Sequence, residues 1–427
     1  MDIRIQEMRN FLDSAHSTYH TVAAVVWELE DAGYQPLHEG DDWNLLPGGK
    51  YYVTRGGSSV IAFRIPGYLA SGFMISAGHT DRPAFKIKEN YELTGKYTRL
   101  AVERYGGMIM STWMDRPLSV AGRVVVQTPE GVESRLVDID RDLLIIPSMA
   151  IHMNREVNEG YRWNPAVDML PLLGGSNAQG KLETLIENEA DGKVLGHDLY
   201  LYVRQGSSLV GMDEEYICAP ALDDLLCDWC CLRGFLDSKD SAAVPVLCLF
   251  DNEEVGSRSF QGAGSDFMES VLLRICRKMQ WDADRMLSQS FMVSADNGHA
   301  LHPNHPEFAD ANNAPVIGEG MLIKYSASMT YTTDGITSAI VRRICDMAHI
   351  PVQTYCNRAD LRGGSTLGNI SIGKVSVPSV DIGLPQFAMH STYETAGVGD
   401  AMDMVEFMTT YYSLSLESTA DGVYRLI

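Results

Sequence analysis

Two adjacent glutamates, Glu253 and Glu254, follow an apolar run at residues 244–250 that is typical of a buried strand. In open α/β sheets, ligands and chemistry lie at the carboxyl ends of the strands, so we expect both carboxylates at one sheet edge. One glutamate could bind a metal ion while the other moves a proton. A single Glu-Glu pair more often forms a solvated turn, so this interpretation depends on the rest of the chain.

Three further apolar runs, at residues 73–78, 291–295 and 377–384, end in or closely precede side chains that can bind metals. A further carboxylate lies at the start of a helix-like segment. These additional candidates are His79, Asp223, Asp296 and His390. One strand that ends in Asp or His means little, whereas this recurrence indicates a metal site.

The residue types favour a centre with two metal ions. Two cations roughly 4 Å apart need a bridging carboxylate and a mixed shell of histidines and carboxylates. Nitrogen and oxygen ligands without thiolate suit zinc, and manganese or cobalt is the alternative. Such a centre activates water for hydrolysis.

The composition is that of a soluble globular protein: 427 residues, of which 45% are hydrophobic and 21% charged. A net charge of −22 makes nucleic acid and anionic membrane surfaces poor partners. Residues 1–15 carry charges throughout and lack the apolar core of a signal peptide. Eight cysteines are too few for a disulfide scaffold, and we expect a cytoplasmic protein.

Three of the cysteines, Cys227, Cys230 and Cys231, form a cluster with the spacing of a zinc or redox motif. There is no second pair with this spacing to complete four ligands. Leucine and aromatic neighbours predict instead a core helix with buried thiols.

The pattern of elements predicts one α/β domain that is interrupted by another domain. Helical and strand patterns occur in residues 1–87, including a helix at residues 17–33. Residues 88–217 contain short β-like runs separated by Gly, Pro or charge, and an α/β pattern resumes at residues 218–427. We therefore predict a catalytic domain in two parts with an inserted β domain between them.

Several segments resemble the M18 family of metallo-aminopeptidases, which includes aspartyl aminopeptidase and aminopeptidase I. Their order along the chain also matches. They are residues 78–81, 105–107, 112–123, 151–154, 222–224, 251–257, 294–304 and 389–391. Each motif is weak alone, whereas the set spans almost the whole chain.

The resemblance implies a zinc-peptidase-like α/β fold, with a mixed, largely parallel sheet flanked by helices and an inserted all-β dimerisation domain. It also implies a dimer-based dodecamer that acts on short peptides with a free N-terminus. By the family pattern, a hydroxide that bridges the metals attacks the peptide, and Glu253 is the general base. The implied ligands are His79 and Asp296 for one metal, Glu254 and His390 for the other, and Asp223 for both.

Three further site residues follow from the same resemblance. Asp81 would orient the imidazole of His79. His152 resembles a family histidine that reaches into a neighbouring subunit's active site. Lys324 matches a family lysine and would bind substrate, but Thr330 stands where the family often has Arg. A preference for acidic N-terminal residues is therefore expected to extend to some neutral ones.

Two alternatives from other functional classes stay open. A related two-metal enzyme that deacylates N-acyl amino acids, or a carboxypeptidase, would carry a similar Glu-Glu pair and bridging Asp. A non-catalytic assembly protein could retain the fold, although every candidate ligand and the base are present. A requirement for a free amino terminus would distinguish an aminopeptidase from the first alternative. A turnover assay with metal analysis would distinguish it from the second.

Overall fold

The computed structural model describes residues 2–361 and 363–427. Its α-helices are, in chain order, α1 (Ile3–Ser14), α2 (Thr18–Asp31), α3 (Lys181–Glu189), α4 (Leu222–Asp237), α5 (Phe267–Met279), α6 (Ala283–Ser288), α7 (Gly335–Ala348), α8 (Gly368–Ser371) and α9 (Val398–Tyr412). The helix predicted at residues 17–33 is confirmed as α2, which Ser17 caps by accepting a hydrogen bond from the backbone N–H of His20.

The β-strands form four sheets. In chain order they are β1 (Gln35–Leu37), β2 (Lys50–Arg55), β3 (Ser59–Arg64), β4 (Phe73–His79), β5 (Ala84–Leu93), β6 (Tyr97–Tyr105), β7 (Leu118–Thr128), β8 (Gly131–Asp138), β9 (Leu172–Gly175), β10 (Val194–Val203), β11 (Ser208–Val210), β12 (Tyr216–Ala219), β13 (Val244–Phe250), β14 (Phe291–Ala295), β15 (Gly298–His299), β16 (Met321–Tyr325), β17 (Val352–Cys356), β18 (Ser379–Gly383), β19 (Pro385–Phe387), β20 (Glu394–Gly397), β21 (Leu416–Ala420) and β22 (Val423–Leu426).

The largest sheet has nine strands in the order β1-β2-β3-β13-β4-β14-β18-β16-β17. Its centre is parallel, because β13 pairs with β4, β4 with β14, and β14 with β18 in parallel register. Antiparallel pairs flank this centre, as in β13 with β3 and β16 with β18. The predicted mixed, largely parallel sheet is thereby confirmed.

Helices cover both faces of this sheet, which explains why its central strands are apolar throughout rather than alternating. Leu247 and Leu249 of β13 face a core shared with α4 and α9. Val246 and Phe250 of the same strand face a second core shared with α5. The alternation of side chains along a strand therefore builds a helix–sheet–helix sandwich.

Helix α4 is buried along almost its whole length. The thiols of its cluster, Cys227, Cys230 and Cys231, are free and fully buried. The prediction of a core helix with structural thiols is confirmed.

A second, antiparallel sheet has the order β8-β7-β10-β5-β6-β9 and its own apolar core. Its strands lie between Ala84 and Val203, and helix α3 packs against them through Leu182 and Ile186. Helix α3 was not predicted. The domain bounds of 88–217 stay a prediction.

A third sheet has five strands in the order β11-β12-β20-β19-β15. Strand β12 leads into α4, and β19 and β20 flank the turn that carries His390. No helix in the described part of the chain is long and apolar enough to cross a membrane.

Candidate metal centre and active site

The parallel strands at the centre of the large sheet bring the candidate residues to one edge. His79 is the last residue of β4, and Asp296 directly follows β14. Glu253 and Glu254 lie in a 3₁₀ turn, Glu253–Val255, shortly after β13. Because these strands are neighbours and run the same way, their carboxyl ends coincide, as the sequence predicted.

Asp223 lies at the start of α4 and is 4% exposed. Its Oδ1 atom is 3.4 Å from Nε2 of His79, and its Oδ2 atom is 3.4 Å from Nε2 of His390. Nε2 of His390 is also 3.3 Å from Oε1 of Glu254. The two oxygens of Asp223 thus face two different histidines, which is the arrangement that a bridging carboxylate needs.

Within the described residues, three sets of side chains place ligand atoms within 4.8 Å of one another. These sets are His79, Asp223, Asp224 and Asp296; His79, Glu253 and Glu254; and Asp223, Glu254 and His390. The structure therefore brings together all five residues that the sequence proposed as ligands. Asp223 belongs both to the set that contains Asp296 and to the set that contains His390. The structure also adds Asp224, a fully buried carboxyl group.

The site concentrates acidic groups in a buried volume. Burial, reinforced by neighbouring carboxylates, raises the pKa of Glu253 to about 8 and that of Glu254 to about 7. Burial opposes ionisation of Asp223 as well, but contacts with His390 and His79 hold its pKa well below the usual range. Contacts with Asp223 and Glu254 raise the pKa of His390 to about 11 against the effect of burial.

The donor set fits divalent metal ions. Among the described residues, the buried Oδ1 atoms of Asp223 and Asp224 accept no hydrogen bond, although Nε2 of His79 lies 3.4 Å from that of Asp223. Buried polar atoms of this kind need a partner, and a cation is a partner that carboxylates accept. Imidazole nitrogens and carboxylate oxygens without thiolate suit zinc, manganese or cobalt.

The carboxylate of Asp81 accepts hydrogen bonds from the backbone of the turn that carries Glu253 and Glu254. Its Oδ1 accepts the backbone N–H of Glu253 at 3.0 Å, and its Oδ2 accepts that of Glu254 at 3.1 Å. The hydroxyl of Tyr105, on β6, donates to Oδ2 at 2.6 Å. Nδ1 of His79 is 3.1 Å from the backbone oxygen of Asp81 and 3.5 Å from its Oδ1. Asp81 therefore touches both the histidine and the glutamates.

Lys324 lies on β16 and is 2% exposed. Its Nζ donates to Oδ1 of Asp296 at 3.0 Å and to the backbone oxygen of Asn297 at 2.7 Å. The lysine thus contacts a candidate ligand directly, and its role as a substrate-binding residue stays a prediction. Thr330, at the position where the family often has Arg, donates a hydrogen bond to the Ser326 hydroxyl, 2.8 Å away.

His152 is exposed in a turn of the segment between β8 and β9. It does not belong to the metal-capable sets found among the described residues. Its role in a neighbouring subunit stays a prediction.

A cavity of about 430 Å³ opens beside the site. Its wall includes three histidines, three aromatic side chains and one arginine, which are His299, His302, His305, Phe308, Tyr355, Phe387 and Arg358. The side chain of His299 is exposed, and it is close enough to the centre for the charges of Lys324 and Asp223 to act on it.

Sequence reasoning missed two residues that support the centre through hydrogen bonds, Tyr105 through Asp81 and Glu394 through Asp223 and His390. Tyr105 belongs to the matching segment at residues 105–107, and Glu394 lies outside all of the matching segments. Glu394 accepts the backbone N–H groups of Asp223 and His390. Its position four residues after His390, close to a segment already singled out, was the only signal in the sequence.

Comparisons with known proteins identify the family of this chain. The family model described as aminopeptidase I zinc metalloprotease (M18) matches residues 11–412. A probable M18 family aminopeptidase 2 of Clostridium novyi is 40% identical over 424 residues, which cover 96% of this chain and 98% of the relative. Its counterpart in Clostridium acetobutylicum is 39% identical over 425 residues, with the same coverage.

Solved structures show the same fold. Ape4, in a cryo-EM structure with Nbr1, is 32% identical, with a TM-score of 0.92 over 96% of this chain and 85% of that chain. The mApe1 dodecamer of S. cerevisiae is 25% identical, with a TM-score of 0.84 over 96% of both chains. The chain therefore belongs to the M18 family of metallo-aminopeptidases.

Proposed function

We propose that this enzyme removes the N-terminal residue of short peptides at a centre of two divalent cations. The observation that carries the proposal is the position of Asp223, whose two oxygens face His79 and His390, each at 3.4 Å. A carboxylate in this position can bridge two cations. Membership of the M18 family supports the same activity.

The proposed ligands divide into two groups around Asp223. His79 and Asp296 would hold one cation, and Glu254 and His390 would hold the other. Zinc is the metal we propose, in line with the family description, and manganese or cobalt is the alternative. Cations bound there supply Lewis-acid chemistry, which activates water at neutral pH and polarises a carbonyl group.

Glu253 is the proposed general base. It lies in one set with His79 and Glu254, and its backbone N–H is held by Asp81. From this position its carboxylate takes a proton from the attacking water and passes it to the leaving amine. The adjacent glutamate is then free to serve as a ligand.

The metal requirement and the role of Glu253 can be tested together. Protein stripped of metal should regain activity with zinc, manganese or cobalt and should bind two ions per chain by elemental analysis. Glu253→Gln should retain both ions and lose about 10²–10⁴-fold in turnover. Glu130→Gln, at an exposed turn, is the matched control and should leave turnover unchanged. A Glu253→Gln enzyme with near-normal turnover contradicts the assignment of the base.

The rival hydrolase classes differ in the substrate terminus that they need. An aminopeptidase should cleave a peptide with a free amino terminus and leave the N-acetylated peptide intact. A deacylase should prefer the acylated substrate, and a carboxypeptidase should release the last residue instead of the first. A protein with bound metal that cleaves none of these substrates would have only an assembly role.

We propose that the enzyme accepts acidic and some neutral N-terminal residues, with the 430 Å³ cavity as the site of the side chain. Arg358 contributes positive charge to the wall of this cavity, while Phe308 and Phe387 contribute apolar surface. Lys324 does not line the cavity, but its charge acts on His299, which does. Position 330 holds Thr, so one further cation is missing. A mixed wall of this kind suits side chains of both classes.

A panel of Glu-, Ala- and Leu-anilides measures this preference. The wild-type enzyme should cleave the Glu substrate and at least one neutral substrate. Lys324→Met should lower kcat/KM for the Glu substrate more than for the neutral ones if the lysine binds substrate. Equal losses on all substrates would show that Lys324 acts only through Asp296, and total inactivity of the wild type on neutral residues would refute the relaxed preference.

We also propose a homo-oligomer, a dodecamer built from dimers, in which His152 completes a neighbour's site. Four apolar side chains near His152 in the same segment are 48–76% exposed, which suits an interface. They are Met149, Ile151, Met153 and Val167. The S. cerevisiae mApe1 structure, a dodecamer, supports the same assembly.

Mixing two kinds of inactive subunit tests whether His152 acts in the active site of a neighbouring subunit. Glu253→Gln and His152→Phe subunits are combined under conditions where exchange is verified by mass-tagged chains. Mixed sites that contain both Glu253 and His152 should restore activity. No recovery after verified exchange, or full activity in a sedimenting monomer, would exclude action in trans.

The proposed location is the cytoplasm, with peptides rather than nucleic acid or membranes as partners. All eight cysteines are free thiols, and seven of them are buried. This suits a reducing compartment, where disulfides are rare. The net charge of −22 disfavours binding to nucleic acid.

A further inference from the structure

Glu394 is a buried carboxyl residue at the start of β20, 1% exposed. Its Oε2 atom accepts the backbone N–H of Asp223 at 2.9 Å, and its Oε1 atom accepts the backbone N–H of His390 at 2.6 Å. We propose that Glu394 is a positioning residue, which holds the bridging carboxylate and the histidine in the geometry needed to bind metal. The proposal rests on the two-metal centre described above.

The sheet explains how Glu394 reaches both backbones. Strand β20 pairs with β12 in antiparallel register, and Glu394 lies opposite Ala219. The chain then passes from Ala219 into α4 and reaches Asp223 within four residues. In the other direction, His390 precedes Glu394 by only four residues. One side chain therefore joins two ligands that are far apart in the sequence.

The backbone of His390 needs such support. Its φ angle is +67°, in the left-handed region that residues other than glycine rarely adopt. Residues in this region persist where the surrounding structure holds them. The short hydrogen bond from its N–H to Glu394 is one such restraint, and a second is the bond from the backbone N–H of Ile109 to the carbonyl oxygen of His390, at 3.0 Å.

Glu394 itself is not placed as a ligand. Both of its oxygens already accept backbone N–H groups, and it is absent from the metal-capable sets that the described residues form. Its effect on the cations is therefore indirect, through Asp223 and His390. Residues of this kind commonly change metal affinity or activity by about 10–100-fold when replaced.

Asp400 provides a closely matched control. It is also 1% exposed, and its two oxygens accept the backbone N–H groups of Gly318 and Gly320 at 2.7 and 2.8 Å. The loop that it holds carries none of the proposed ligands. A purely structural carboxyl group and a positioning one can therefore be compared in the same protein.

The experiment replaces each carboxyl group by its amide, in Glu394→Gln and Asp400→Asn. An amide has one acceptor oxygen, and its NH₂ group faces the second backbone N–H, so both variants should unfold at lower temperature. Zinc affinity is measured on the full chain by competition with a chromophoric chelator. Glu394→Gln should bind zinc about 10–100-fold more weakly, while Asp400→Asn should match the wild type within about twofold.

Glu394→Asp is a second variant, which keeps the proposal testable if Glu394→Gln does not fold. It keeps the charge but shortens the side chain by one methylene, so we expect it to hold one backbone and to weaken zinc binding by less than Glu394→Gln does. Wild-type affinity in every soluble Glu394 variant overturns the positioning role. If the wild-type protein itself binds no zinc, manganese or cobalt, the two-metal centre fails instead, which separates the two results.

Discussion

Replacement of Asp81 by asparagine tests how strongly one buried carboxyl group controls the Glu-Glu turn. Asp81 is 2% exposed and accepts hydrogen bonds from the backbone N–H of Glu253 at 3.0 Å, from that of Glu254 at 3.1 Å and from the Tyr105 hydroxyl at 2.6 Å. In the variant, the amide oxygen can serve Glu254 and Tyr105 in the position of Oδ2. The amide NH₂ group then faces the N–H of Glu253, and two donors oppose each other.

The size of the effect follows from these contacts. Loss of one hydrogen bond to a charged group removes about 1.5–3 kcal/mol, and a buried N–H left without an acceptor costs about 1–3 kcal/mol. We therefore expect Asp81→Asn to lower the free energy of unfolding by about 2.5–6 kcal/mol. His79 keeps its contact with the backbone oxygen of residue 81. The substitution should therefore displace mainly the backbone of Glu253.

Turnover and metal content are measured separately in the variant. We expect kcat to fall by about 10–100-fold at saturating metal, because the backbone that carries the base is displaced. Metal content at saturation should change little. Asp400→Asn again controls for the loss of a buried carboxyl group, since it should destabilise the fold without lowering kcat. An Asp81→Asn enzyme with wild-type kcat would refute the reasoning.

Three further outcomes are expected. Asp223→Asn should lose at least one metal ion by elemental analysis and Asp224→Asn less; the reverse order would mean that Asp224 is the bridge. Tyr105→Phe should lower turnover several-fold and thermal stability slightly, because it removes only the third hydrogen bond to Asp81, and an unchanged enzyme would place Tyr105 outside the site's support. Burial lowers the pKa of His20 to about 4, so its contribution to stability is complete above about pH 6.5 and is lost as the pH falls towards 4. Between about pH 7 and pH 5 the free energy of unfolding in urea should fall by about 2 kcal/mol through this group, and His20→Gln should remove that part of the decrease.

Local patterns made the central sheet and much of the site predictable. The apolar runs of β4, β13 and β14 are buried on both faces and end in His79, in the Glu-Glu turn and in Asp296. The end of an apolar run in the sequence marks the carboxyl end of its strand. The sequence alone therefore shows which side chains lie at the strand ends. The recurrence of the pattern then predicted a shared sheet edge.

Elements with a mixed surface were harder to predict. Helix α1 carries charges along its length and buries Met8, Phe11 and Leu12 on one face. The charges along this helix hid its narrow apolar stripe in the sequence. Helix α3 buries only Leu182 and Ile186 within a region of strands, so its short pattern was lost among β-like runs.

The sequence by itself determined the kinds of side chain at the strand ends, the parallel centre of the sheet and the family. Only the tertiary structure decided which oxygen of Asp223 faces which histidine, that Asp224 joins the cluster, and that Lys324 contacts Asp296. It also decided that Glu394 reaches Asp223, a residue 171 positions away in the chain. The physical reason is that strand patterns depend on neighbours in sequence, whereas these contacts arise when strands, helix starts and turns from distant parts of the chain pack around one buried volume.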